Sequence, residues 1–276
     1  MNQLRGIVWS DKMKFALVIT ARMKSSRLPK KAMLTIKGKS LIEHLIDRMK
    51  IARLPDMIVL ATSTHPDDEI LAEVAEKNGI LAFRGDQSDK LKRYLDASKK
   101  FDFDYMIDVS ADNIFSDPIC VDRIIEEFRR SDPDVIFCKD LPVGVSPLGL
   151  KMSAVEKICQ MKDESDTEVY GPYFYHSNIF RVQHLEPEPI LRRPDIRLTI
   201  DYEEDFVLAC KIFEELQEDK NTFPLTRIIE LFNKKPELLS INREAQHKYE
   251  ENLKKITKPK VKPEYAKFFN FNRGVG

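Results

Sequence analysis

Short apolar runs alternate with amphipathic stretches along most of the chain, and that alternation leaves few folds open. FALVIT (15–20), MIVLAT (57–62), ILAF (80–83), YMIDVS (105–110) and DVIFC (134–138) read as buried strands. Between them the spacing predicts helices over 40–53, 67–78, 88–100 and 118–130, the last capped by Asp117. Strands alternating with helices of this length imply an α/β fold: a mostly parallel sheet flanked by helices on both faces and joined by right-handed crossovers. Such sheets bind ligands at the carboxyl ends of their strands. The segments after Thr20, Thr62, Phe83 and Val109 therefore carry the functional expectation.

After Cys138 the rhythm breaks. LPVGVSPLG (141–149) holds two prolines and two glycines before a helix expected over 153–161, so residues from about 140 to 195 read as an inserted subdomain. IRLTID (196–201) reads as a last buried strand, followed by helices over 203–215 and 225–233. Residues 13–240 then form the main domain. Residues 1–12 precede a second possible start at Met13 and read as an appendage, while 241–276 read as a basic, aromatic tail. From Lys248 onward the tail has eight Lys or Arg against three Glu; KPKVKP is too proline-broken for a helix, and YAKFFNF is aromatic enough to pack somewhere. A solvated tail with an aromatic anchor is favoured over a nucleic-acid-binding arm.

The charge balance points the same way. Lys plus Arg and Asp plus Glu both total 45 among 276 residues, so no global field recruits nucleic acid or an anionic membrane surface, and neither is expected as a partner. No apolar run approaches the roughly 20 residues of a membrane helix. Cys120, Cys138, Cys159 and Cys210 form no C-x-x-C pair and read as buried thiols of a cytoplasmic protein. The five histidines lack zinc-ligand spacing, KGKS (37–40) lacks the first glycine of a Walker loop, and no G-x-G-x-x-G occurs.

Two constellations stand out. In ARMKSSRLPKK (21–31), Arg22, Lys24, Arg27, Lys30 and Lys31 face no acid directly after the first strand, which suits a nucleoside triphosphate of about four negative charges. Asp112 and Asp201 each follow an apolar run at the ligand edge and could share an Mg²⁺, which uses one or two carboxylates alongside water and phosphate oxygens. Either alone could be a helix cap, and a strand-end carboxylate is expected to contribute little to the core. Asp108, inside its strand, is the weaker candidate.

These segments resemble motifs of the cytidylyltransferase family that includes the CMP-Kdo and CMP-sialic acid synthetases and the SpsF-like spore-coat polysaccharide proteins. TARMKSSRLPKKAM is similar to A-R-x-x-S-x-R-L-P-G-K, FRGDQSDKLKRY to F-R-G-x-x-x-D-V-L-x-R-Y, SADNIFSDP to G-D-x-P-L-x-D-P, YGPYFY to T-P-Y-I-Y, and RLTIDYEEDF to R-x-T-V-D-x-P-E-D-F, in family order from about residue 15 to 217. The resemblance implies a nucleotide-diphospho-sugar transferase-like fold, CTP as donor, Mg²⁺ as cofactor, and a homodimer made through the inserted subdomain. It implies that Arg22, Arg27 and Lys31 hold the triphosphate, with Ala21 and Ser110 in the nucleotide site and Thr62, Ser63 and Thr64 near the base. Asp112 and Asp201 would hold the metal; Arg84, Arg93 and Tyr173 would border the acceptor; Arg22, Lys31 and Asp112 would carry the catalysis.

The departures concern the acceptor. Lys24 and Lys30 replace small residues, Ala111 replaces glycine, Ile114 and Phe115 replace Pro-Leu, and Ser146, Pro147 and Leu148 stand where the family places acids. Gained lysines and lost acids suit an anionic acceptor such as an acidic sugar, a phosphonate or a phosphate ester. The expected reaction is transfer of CMP from CTP to that small molecule with release of pyrophosphate; a hydroxyl acceptor would need a base, Asp108 or Asp112 being nearest. Two alternatives stay open. A metal-dependent glycosyltransferase lacks its D-x-D here, because DFD (102–104) precedes a strand, and an inactive nucleotide-binding module is motivated by Ala111 and the missing acids.

Overall fold

The computed structural model describes residues 13–25, 27–216, 222–255 and 260–270. The expected appendage at 1–12 and the last six residues of the tail lie outside them. Nine strands are described: β1 (Phe15–Thr20), β2 (Thr35–Ile36), β3 (Lys39–Ser40), β4 (Met57–Ser63), β5 (Leu81–Gly85), β6 (Tyr105–Ser110), β7 (Val135–Cys138), β8 (Leu148–Lys151) and β9 (Val182–Leu185). The α-helices are α1 (Leu41–Met49), α2 (Glu69–Lys77), α3 (Lys90–Phe101), α4 (Pro118–Ser131), α5 (Met152–Met161), α6 (Gly171–Tyr175), α7 (Glu203–Leu216), α8 (Leu225–Lys234) and α9 (Arg243–Lys255). Asp117 caps α4 as expected, accepting from the Ile119 amide at 3.2 Å.

Seven strands form one sheet in the order β5-β4-β1-β6-β8-β7-β9, and β2 pairs with β3 separately. β5, β4, β1 and β6 run parallel, which sets the ends of β1, β4 and β6 side by side. Because successive side chains point to opposite faces, Phe15, Leu17 and Ile19 enter one core with α1, α2, α4, α7 and α8, while Ala16 and Val18 enter a second with α3, α5 and α6. The tail joins the second core: Phe269 is buried there, and Val261, Tyr265 and Phe268 pack against that core.

Two features differ from the sequence reading. β8, hidden by Pro147 and Gly149, runs antiparallel between β6 and β7, so residues 140–195 extend the central sheet. Gly149 is required by crowding, since a Cβ there would lie 2.5 Å from Ile124 Cγ2. Residues 196–201, expected as a strand, are buried but irregular, with a single bridge between Val143 and Arg197. The partner segment cannot extend that bridge, because Gly144 takes a left-handed φ of +86° and lies against the Thr199 backbone.

Candidate active site

Lys31 opens a short 3-10 turn, Lys31–Met33, behind Lys30 in the left-handed region at φ 55°. That turn aims its side chain across the sheet edge. Lys31 Nζ donates to Asp112 Oδ2 at 2.7 Å, to Asp201 Oδ1 at 3.0 Å and to the Ile200 carbonyl at 3.0 Å. Arg27 Nη2 donates to the same Asp201 oxygen at 2.6 Å, and Arg197 Nη2 reaches Asp201 Oδ2 at 3.1 Å. Arg197 is fixed in turn by Asp205, which it grips through Nε at 2.9 Å and Nη2 at 3.0 Å. The sequence-predicted Arg27, Lys31, Asp112 and Asp201 are thus brought together.

The charges set each other's protonation. Burial alone would raise the Asp201 carboxyl, but Lys31, Arg27 and Arg197 outweigh it and hold Asp201 below the usual carboxylate range. Burial would lower Lys31, yet Asp112 and Asp201 raise it above an ordinary lysine. Asp201 is only 4% exposed, so the expectation of a strand-end carboxylate marginal to stability does not hold for it. Two carboxylate oxygens converging on one cationic nitrogen form a hard-oxygen donor set that fits Mg²⁺. Among the described residues no group of three or more His, Cys, Asp or Glu gathers to hold an ion. A cation at this point would complete its shell from substrate oxygens and water.

Along the neighbouring edge, Arg22 Nη1 donates to the Gln87 carbonyl at 2.5 Å and Nη2 pairs with Glu168 at 3.0 Å. Arg93 is fully buried and donates to the Asp86 and Gln87 carbonyls at 2.9 and 3.2 Å; its Nη1 has no partner among the described residues. Arg22 and Arg93 therefore share one carbonyl oxygen. Arg84 is held elsewhere, by the Ser63 and His65 carbonyls and by Glu69. Tyr173 is buried in the second core with its hydroxyl on Glu164 and the Lys260 carbonyl. The structure does not bring Arg84 or Tyr173 to the Lys31 constellation.

At the end of β4, Thr62 is fully buried and its Oγ1 has no partner among the described residues, Ser63 donates to Asp68, and exposed Thr64 bonds the Gly85 carbonyl through its amide at 2.9 Å. Ala21 and Ala111 continue the sheet bonding beyond the strands, to the Ala61 and Thr20 carbonyls, and the Ser110 carbonyl accepts from the Asn113 amide. Asp68 is a residue the sequence reading missed. It stands at the N-cap of α2 without capping it, and its carboxylate instead accepts from the Met23 amide at 2.7 Å, tying the basic loop to β4.

Asp108 lies in β6 as expected, but its oxygens are taken. Oδ1 accepts from Thr20 at 2.8 Å and Tyr94 at 2.7 Å, and Oδ2 accepts from Tyr170. Burial and the Asp108 charge push the Tyr94 and Tyr170 hydroxyls well up, which keeps them as donors. Asp108 is thus held by three buried hydroxyl donors.

The tail also reaches the site. The Arg197 guanidinium lies 5.0 Å over the Tyr249 ring of α9, and its Nη1 donates to Gln246 at 3.2 Å. Asn242 bonds the Arg197 carbonyl and Asp205, while Arg27 lies 5.5 Å over the Tyr202 ring, whose hydroxyl accepts from Asn252 at 2.9 Å. Nothing in the tail's local spacing signals these contacts.

Several known proteins are similar to this chain. The family model described as cytidylyltransferase matches residues 16–256. The chain is 27% identical over 235 residues to the spore coat polysaccharide biosynthesis protein SpsF of Bacillus subtilis, covering 83% of this chain and 97% of that one. It is 29% identical over 187 residues to a 3-deoxy-manno-octulosonate cytidylyltransferase of Chloroherpeton thalassium, covering 66% and 71%. Among solved structures, a cytidylyltransferase from Leptospira borgpetersenii superposes with a TM-score of 0.76 at 25% identity, covering 82% of this chain and 97% of that chain. With the fold, the motif order and the family match in agreement, the chain belongs to the cytidylyltransferase family, and it is a nucleotidyltransferase.

Proposed function

We propose that the protein transfers CMP from CTP to a small anionic acceptor in an Mg²⁺-dependent reaction that releases pyrophosphate, as a cytoplasmic homodimer in polysaccharide synthesis. The observation that carries this reading is the meeting of Asp112 and Asp201 on Lys31 beside Arg27. The likeness to an octulosonate cytidylyltransferase and to SpsF supports an acidic sugar and a polysaccharide route.

Arg27 and Lys31 are anchored only through side-chain tips, so both can turn from Asp201 to the β- and γ-phosphates. That movement frees Asp201 Oδ1 and, beside it, Asp112 Oδ2 as ligands. Bound there, Mg²⁺ supplies charge neutralisation to the phosphate oxygens. Lys31, and Arg22 once released from Glu168, stabilise charge growing on the departing pyrophosphate, and the acceptor oxygen attacks in line at the α-phosphorus. Thr62 lies at the end of β4, the segment proposed to lie near the base, with its buried Oγ1 lacking a partner among the described residues. An acceptor oxygen already anionic needs no base, whereas a sugar hydroxyl needs one.

Pyrophosphate release on mixing CTP and Mg²⁺ with acidic sugars, phosphonates and phosphate esters tests the reading. Release with an acidic compound and none without Mg²⁺ is expected. Turnover of a nucleotide sugar in its place would favour the glycosyltransferase, and CTP binding without release from any acceptor would favour the inactive module.

A further inference from the structure

The three cations on Asp201 are not equivalent. Lys31 and Arg27 bond Oδ1 through side chains that keep 15% and 38% of their surface, whereas Arg197, with 3%, bonds Oδ2 at 3.1 Å. Arg197 is held at each of its side-chain nitrogens. Nε and Nη2 donate to the two oxygens of Asp205 at 2.9 and 3.0 Å, Nη1 donates to Gln246 at 3.2 Å, and the Tyr249 ring lies 5.0 Å from the guanidinium. A guanidinium gripped by this fork cannot follow a ligand, because any turn breaks several charged hydrogen bonds together. Asp205 also holds the main chain, its Oδ2 accepting from the Asp201 and Tyr202 amides at 2.9 and 3.1 Å, while Oδ1 accepts from Asn242 at 2.8 Å. One buried pair therefore fixes Asp201 through both its backbone and its side chain.

A carboxylate tied at one oxygen to an immobile partner presents the other in a set direction, and outer partners of this kind orient metal ligands. The charges agree with that division. Arg197 and Asp205 neutralise each other, so Asp201 keeps its own negative charge once Lys31 and Arg27 turn to the phosphates. We infer that Arg197 is the positioning residue of the metal-binding carboxylate: it retains Asp201 Oδ2 and leaves Oδ1 for the cation, with Asp205 compensating its charge. The inference rests on the Mg²⁺-dependent CMP-transfer reading above.

The test uses Mn²⁺ as the probe and involves no turnover: calorimetric CTP affinity is measured with Mn²⁺ and with EDTA, and the ratio of the two reports the contacts between metal and protein. Arg197→Lys keeps the charge but loses the fork, and Arg197→Met with Asp205→Asn removes one charge of each sign. Each should lower the ratio about tenfold, the usual cost of losing an outer partner of a metal ligand. Affinity in EDTA should change little, because Arg197 does not face the triphosphate. A variant that melts earlier yet keeps the wild-type ratio overturns the inference. If both fail to fold, Gln246→Ala with Tyr249→Leu, which loosens Arg197 from outside, should lower the ratio by less, and an unchanged ratio there overturns it equally. Wild type with equal affinity in Mn²⁺ and EDTA overturns the inference and the metal-dependent reading together. A ratio that falls as expected, in a protein releasing pyrophosphate with no acceptor, overturns the transfer reading alone.

Discussion

Asp112 and Asp201 bond one nitrogen, Lys31 Nζ, but from different depths: the Asp112 side chain keeps 20% of its surface and that of Asp201 only 5%. Neutralising Asp201 leaves Lys31, Arg27 and Arg197 facing one another. Asp201→Asn should therefore destabilise the fold by about 3 kcal/mol, as breaking a buried pair does. Asp112→Asn should cost about 1 kcal/mol or less. Both should abolish Mg²⁺-dependent turnover. Urea unfolding and pyrophosphate assays separate the two effects, and an Asp112→Asn enzyme of full activity would remove that residue from the site.

The basic loop is expected to read the outer phosphates. Lys31→Ala should weaken CTP binding by about tenfold or more and CMP by much less, because CMP lacks the two phosphates. Glu168→Gln should act in the opposite direction, since it releases Arg22; an exposed pair of this kind limits the gain in CTP affinity to about fivefold. Calorimetry with both nucleotides checks each variant. Equal losses for CTP and CMP in Lys31→Ala would rule out contact with the β- and γ-phosphates.

Acid stability should carry the Asp201 signature. Its folded pKa lies below the ordinary value of about 3.9, so its contribution is present above that pH and is lost as pH falls through the folded value. Lys31, raised above about 10.4, contributes below that pH and loses its contribution as pH climbs through the folded value. The stability gap between wild type and Asp201→Asn should thus stay level from about pH 5 to 9 and shrink below about pH 4. Unfolding midpoints measured across that range would show a gap that fails to shrink if the pairing is unimportant.

Gly144 should tolerate no side chain. Alanine would keep an unfavourable φ, a cost of about 1–3 kcal/mol, and its Cβ would lie 2.6 Å from the Thr199 amide nitrogen. Gly144→Ala should lower the melting temperature and, by displacing residues 196–201, weaken CTP binding as well. An unchanged melting temperature would refute this.

The strands that build the site were legible because period and composition agree: β1, β4 and β6 are β-branched runs between helical stretches, and their ends necessarily fall at one edge. Lys31 and Asp112 could be placed there for the same reason, whereas Asp201 was placed by an expected strand over 196–201 that the structure shows as irregular. RLTI reads identically as a strand and as a buried irregular segment, and only the left-handed Gly144 decides between them. Tyr170 and Tyr173 differ by three residues in one motif, yet one hydroxyl reaches Asp108 and the other Glu164, a difference fixed by how α6 sits. Arg22 with Glu168 and Met23 with Asp68 are long-range pairings that no local pattern encodes.

The last α-helix among the described residues also braces Arg197 behind Asp201. During synthesis the sheet, the basic loop and both carboxylates leave the ribosome before α9 does, and domains begin to organise as they emerge. A chain stopped before Arg243 would hold every sheet-edge residue of the site and lack Gln246 and Tyr249. Translation through α9 is therefore a condition for a rigid Asp201, and products clipped before it would resemble the enzyme in outline while lacking the brace behind that carboxylate.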